Sequence, residues 1–229
     1  MGESGPAGLT FEEADLVVRT NTFLLNISYL LPFSTIPVFV GDKRFFASES
    51  ALGLYPPWIY GISQIILEAI FVTVASIAQT CIVVPMCTML NPSMHVWTSF
   101  LTILSALFTS GLVGSTIVFF CSMALPTQDL AFIFGSTIVT ISLAMSGGFL
   151  PFGDMLPLSY SIQWISPVKY SLQALLISQL IGTSAERMLD VKEYNTPMTV
   201  TENLIVLLGI FTLLSVLSAV AMIRVREQR

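Results

Sequence analysis

Ionisable side chains are scarce in this sequence, so each one that stands in an apolar stretch invites a chemical role. Glu68 is the sharpest of them: it lies eight residues into a long apolar run. A carboxylate at bilayer depth costs roughly 2.5–3.5 kcal/mol on insertion scales. Two readings fit it: a polar relay or gate between helices, or a boundary residue reaching water or a Ser/Thr hydroxyl. His95, the single histidine, stands in a short turn and reads as a solvated loop residue. Cys81, Cys87 and Cys121 lie in apolar segments with no metal-ligand spacing, and read as packing thiols. None of Lys43, Lys169 and Lys192 follows a glycine, so the sequence offers no phosphate-cradling loop and is not expected to hydrolyse ATP by itself. Serine-nucleophile, Cys–His and zinc-protease arrangements are equally absent from the sequence.

The elements that must hold these residues follow from composition. The 229 residues are 54% hydrophobic and 10% charged, with a mean hydropathy of +0.83. Soluble domains carry about 25% charged residues, so the bilayer is the expected solvent. Residues 69 to 128 hold no Asp, Glu, Lys or Arg. That run is long enough for two spans of roughly 20 residues and a turn. A lipid-embedded backbone must satisfy its own hydrogen bonds, so such runs read as helices. The reading is an all-α integral membrane protein with about five transmembrane helices, at about 17–39, 60–84, 97–123, 129–149 and 203–223. A polar segment, 1–16, precedes them, and residues 41–57 form a polar loop. Residues 150–202 hold an outer loop and a proline-interrupted segment expected to be re-entrant or interfacial.

Charge sets the expected orientation. Lys43 and Arg44 in the first loop, with Arg224, Arg226 and Arg229 in the tail, make five of nine basic residues. Four crossings put loop and tail on one side, which the positive-inside rule makes cytoplasmic. The net charge of −5 offers no basic face for nucleic acid. The sequon Asn26-Ile27-Ser28 is discounted because it falls inside a span. Ala106, Ser110 and Gly114 lie four apart, which brings small residues to one helix face and predicts a close helix contact.

Two ordered motif sets carry a family resemblance. Asp42-Lys43-Arg44-Phe45, Glu49, Gly53, Tyr55 and Tyr60 resemble, in order and spacing, the intracellular loop of G-subfamily ABC transporters. Ser146-Gly147-Gly148-Phe149, Pro157, Trp164, Ser166-Pro167 and Tyr170 resemble that family's fifth-helix end and re-entrant segment. The resemblance covers residues 17–229 and implies six spans, of which this sequence would supply the second to sixth. It implies that residues 43–55 form a coupling helix, with Lys43, Arg44, Phe45, Glu49, Gly53 and Tyr55 facing a nucleotide-binding domain in cis or trans. It implies a homo- or heterodimer whose substrate cavity is lined by Leu30, Phe33, Thr140 and Leu143, closed by an outer gate at Gly148 and Phe149, and no disulfide. Those four cavity residues fit helix-packing or lipid-facing roles equally well. ATP and magnesium would sit on the nucleotide-binding domain, outside this sequence. The function so implied is ATP-driven export of lipid, sterol or another apolar or amphipathic substrate, at the plasma membrane. An ion-coupled transporter or channel is one alternative, and a truncated, non-transporting assembly subunit is another.

Overall fold

The computed structural model describes residues 11–90, 95–148, 163–180 and 198–227. Among them are helices and turns and no strand. Four helical stretches are long and apolar enough to cross a membrane: Asp15–Lys43, Pro57–Met89, Val96–Ala124 and Val200–Arg224. A fifth apolar helix, Gln128–Ala144, is shorter. At 17 residues and 1.5 Å per residue it reaches about 26 Å, just under the ~30 Å hydrocarbon core.

The first crossing is a broken rod. Helix α1, Phe11–Leu30, tightens at Pro32 into a 3-10 turn, Leu31–Thr35, and resumes as α2, Ile36–Ala51. Pro37 falls in the first turn of α2, where its missing N–H leaves no bond unmade. The stretch 41–57, expected as a polar loop holding a helix over 43–55, is instead a continuation of α2 that stays helical to Ala51 and turns over residues 52–56. The charges of Asp42 and Lys43 do not break a helix, and no glycine or proline intervenes between Gly41 and Gly53.

Helix α3, Pro57–Leu90, runs 34 residues with Pro85 near its end, and α4 is Val96–Ala124. Helix α5, Gln128–Ala144, starts on a Thr127 cap whose hydroxyl accepts from the Leu130 amide. It stops at a turn where Gly147 takes φ 86°, five residues short of the expected 149. A 3-10 turn, Gln163–Ile165, leads into α6, Pro167–Leu180. The last helix, α7, is Val200–Glu227. Thr199 and Glu202 bond reciprocally across its first turn, satisfying two amides that the helix itself leaves open.

Helix α4 is the hub. It packs against α1, α2, α3, α5, α6 and α7. Of its apolar window 78% is buried, against 11% for α7, so α4 forms the interior and α7 turns most of its surface to lipid. The small-residue face predicted on α4 makes the contact. Ala106 and Ser110 are fully buried. A Cβ on Gly114 would stand 3.2 Å from the Tyr29 Cα and 3.3 Å from its carbonyl oxygen, so α1 and α4 meet backbone to backbone. Helix α6 is too short to cross, and nearly all of it is enclosed by α1, α4, α5 and α7.

Candidate functional site

At one end of the bundle α2 folds into an elbow. Its C-terminus is closed by Gly53 at φ 74°, a left-handed conformation that other residues adopt at a cost. The Leu54 amide reaches back to the Glu49 carbonyl (3.3 Å) and the Gly53 amide to that of Ser50 (3.2 Å), so the last carbonyls of α2 keep partners. Tyr55 then donates its hydroxyl to the Glu49 carboxylate at 2.7 Å, tying the turn to the helix that precedes it. Burial, then the hydrogen bond to Glu49 and its charge, push the Tyr55 phenol up to about 12. Phe46 stacks on Tyr60 with centroids 4.7 Å apart, and Tyr60 leans on Phe119 of α4. Phe45, Leu52 and Leu54 stay exposed, leaving an apolar rim on the elbow. Arg44 lies within α2.

Lys43 connects this elbow to the hub. Its ammonium donates to the carbonyls of Met123 (2.6 Å) and Leu125 (2.9 Å), the final turn of α4. A cation there answers both the unpaired carbonyls and the negative end of the helix dipole.

Glu68 is 7% exposed on α3 and accepts from the Ser115 hydroxyl of α4 at 3.2 Å. A small pocket beside it, lined by Gln64, Ser115, Thr116, Phe39 and Phe211, has room for about one water molecule. The Ser115 contact joins α3 to α4 and is also the hydroxyl partner of the boundary reading, so it fits both readings of this residue.

The four residues assigned to a cavity differ in burial. Phe33 is buried against Phe132 (ring centroids 5.7 Å apart) and the Gly135 backbone of α5, and Leu143 is also buried. Leu30 and Thr140 are exposed. Gly148 abuts Thr22 of α1 so closely that a Cβ would stand 2.2 Å from its hydroxyl. Phe149, the other gate residue, and Pro157 lie outside the described residues.

Three buried polar ties on α1 were not anticipated from the sequence. Asn21 and Gln179 of α6 exchange amide hydrogen bonds at 2.8 and 3.2 Å. Ser28 donates to Gln79 of α3 at 2.7 Å, which buries the last residue of the sequon. The Tyr29 hydroxyl lies 3.1 Å from that of Ser171 in α6. The signal was available: an amide in the middle of a span has to find a partner.

A bundle of this kind, with several apolar helices around one buried helix and a polar elbow at one end, is a multi-pass integral membrane protein. Residues 14–180 match the family of ABC-2 type transporters, and the chain belongs to that family as a transmembrane component of an ABC transporter. It is similar to ABC transporter G family member 12 of Dictyostelium discoideum, at 25% identity over 176 residues, 76% of this chain and 27% of that protein. It is 28% identical over 189 residues to G family member 8 of the same organism, again 76% and 27%. Over 146 residues it is 25% identical to ABC transporter G family member 38 of Oryza sativa subsp. japonica, 62% of this chain and 9% of that protein. The chain thus spans about a quarter or less of the length of these relatives.

Proposed function

We propose that this chain forms the membrane part of an ATP-driven exporter, moving a lipid, sterol or other amphipathic molecule, with the α2 elbow receiving the stroke of a nucleotide-binding domain. The observation that carries the reading is the Lys43 tether. Force applied at the elbow reaches α4 through two charge-assisted hydrogen bonds, and α4 touches every other α-helix among the described residues. The exposed rim of Phe45, Leu52 and Leu54 is the surface offered for docking. ATP and magnesium belong on that partner domain, supplied in cis or trans, and a second transporter half completes the substrate path, with Leu30 and Thr140 of each exposed toward it and Phe33 and Leu143 packed behind them. Elbow and tail share one end of the bundle, since Lys43 and Arg224 line one groove. The positive-inside rule makes that end cytoplasmic, and the membrane in this reading is the plasma membrane.

The test is Lys43→Ala with Arg44→Ala, reconstituted in vesicles with a nucleotide-binding partner. ATP hydrolysis and flux of a fluorescent amphiphile are followed together. Hydrogen bonds to a charged group contribute about 1.5–3 kcal/mol each, so flux per ATP should fall roughly tenfold or more while expression and hydrolysis persist. Unchanged flux per ATP would remove the elbow from the transport cycle.

A further inference from the structure

Beside the tether, α2, α4 and α7 line an open groove. It is lined by two cations, Lys43 and Arg224, and by apolar side chains, Phe120, Leu217, Val220 and Ala221 among them. We propose that this groove holds an anionic phospholipid of the adjoining leaflet, phosphate on the two cations and the start of an acyl chain along α7.

Three features favour this occupant. Charge is the first. The ammonium of Lys43 has three donors, and the two α4 carbonyls use two of them. The helix terminus contributes about half a negative charge, so Lys43 more than offsets it and Arg224 adds a full positive charge. Among the described residues the one ion pair is Arg19 with Asp15, so no described carboxylate pairs with either groove cation. Position is the second feature. The groove opens where α4 ends and along α7, whose Leu217 and Val220 are 42% and 45% exposed on the lipid-facing helix. Basic pockets between helices at this depth suit phosphorylated headgroups. The third is the apolar wall, which a free phosphate ion would leave uncovered and a lipid chain would cover.

The experiment uses the whole chain purified in detergent and native mass spectrometry. Phosphatidylglycerol, phosphatidylcholine and water-soluble glycerol phosphate are titrated in separate arms. Retained phosphatidylglycerol, at least fivefold tighter than phosphatidylcholine, is the expected result. Arg224→Gln should weaken it about fivefold, as one cation near an anionic surface does, and Arg224→Lys should restore it. Val220→Trp keeps both charges and fills the groove, and should release the lipid. Equal retention of the two lipids, or an unaffected Arg224→Gln, overturns the proposal. Displacement of the lipid by glycerol phosphate also overturns it, by showing a site for soluble phosphate. Circular dichroism of each variant reads folding separately, and Arg224 is exposed enough for its substitution to leave the bundle intact.

Discussion

At Tyr55 a phenol and a carboxylate share one proton-bearing contact, and its protonation decides whether the elbow stays closed. The ordinary phenol titrates near 10. Here it is pushed up to about 12, by burial and then by Glu49. A raised value means that the folded elbow favours the protonated form. Its contribution is complete below pH 10 and is lost as pH rises through 12. The difference between tyrosinate absorbance spectra of the parent chain and Tyr55→Phe should therefore show Tyr55 ionising late, near pH 12. A difference spectrum centred at pH 10 would mean that the Tyr55–Glu49 contact is not kept in solution. At this scale the sequence was half legible. The resemblance placed Glu49, Gly53 and Tyr55 together in the intracellular loop, while the closing of α2 by Gly53 was not read. The partners of Lys43 were hidden, because a carbonyl acceptor 80 residues away has no side-chain signature.

Element by element, the spans were visible, as was the break between α4 and α5, but the course of the chain around α2 and α6 was not. Hydropathy marks where a helix is buried in lipid, and the uncharged run from 69 to 128 became α4 and most of α3. It is blind to a helix that continues into water, which is why α2 extends to Ala51 through Asp42, Lys43 and Arg44. It is equally blind to enclosure: the segment expected to be re-entrant or interfacial holds α6, a buried helix fixed to α1 by amide and hydroxyl contacts. The Asn21–Gln179 pair tests that fixing. Asn21 is 1% and Gln179 4% exposed, so replacing Asn21 with Leu leaves an amide without its partner. The single change should cost about 1–2 kcal/mol in thermal unfolding. Asn21→Leu with Gln179→Leu should recover part of that loss, since two apolar groups replace two amides. Strictly additive losses would show that the pair does not couple α1 to α6.

For the molecule as a whole, stability depends on how closely α4 is approached. Gly114 and Gly209 make a matched pair of helical glycines. Alanine at Gly209 meets nothing within 4 Å, whereas at Gly114 it meets the Tyr29 backbone. Gly209→Ala should leave the unfolding temperature unchanged or raise it by the equivalent of about 0.4–1 kcal/mol, through the unfolded chain. Gly114→Ala should lower it by about 1–3 kcal/mol, because backbone cannot rotate out of the way. If both variants unfold alike, α1 and α4 are not in backbone contact. The small-residue face itself was legible from its four-residue spacing. Which helix it meets was not, because spacing gives a face and never a neighbour.

The ties of α1 to α6 have a bearing on how the protein is made. Asn21 and Gln179 are 158 residues apart in the chain, and Tyr29 and Ser171 are 142 apart. At about 5–20 residues per second, a ribosome finishes α6 on the order of ten seconds after α1 has left it. Throughout that interval α1 carries an amide and a phenol whose partners do not yet exist. Helix α1 therefore has to be sheltered at the insertion machinery, or parked against α3 through Ser28 and Gln79, until α6 arrives to release it.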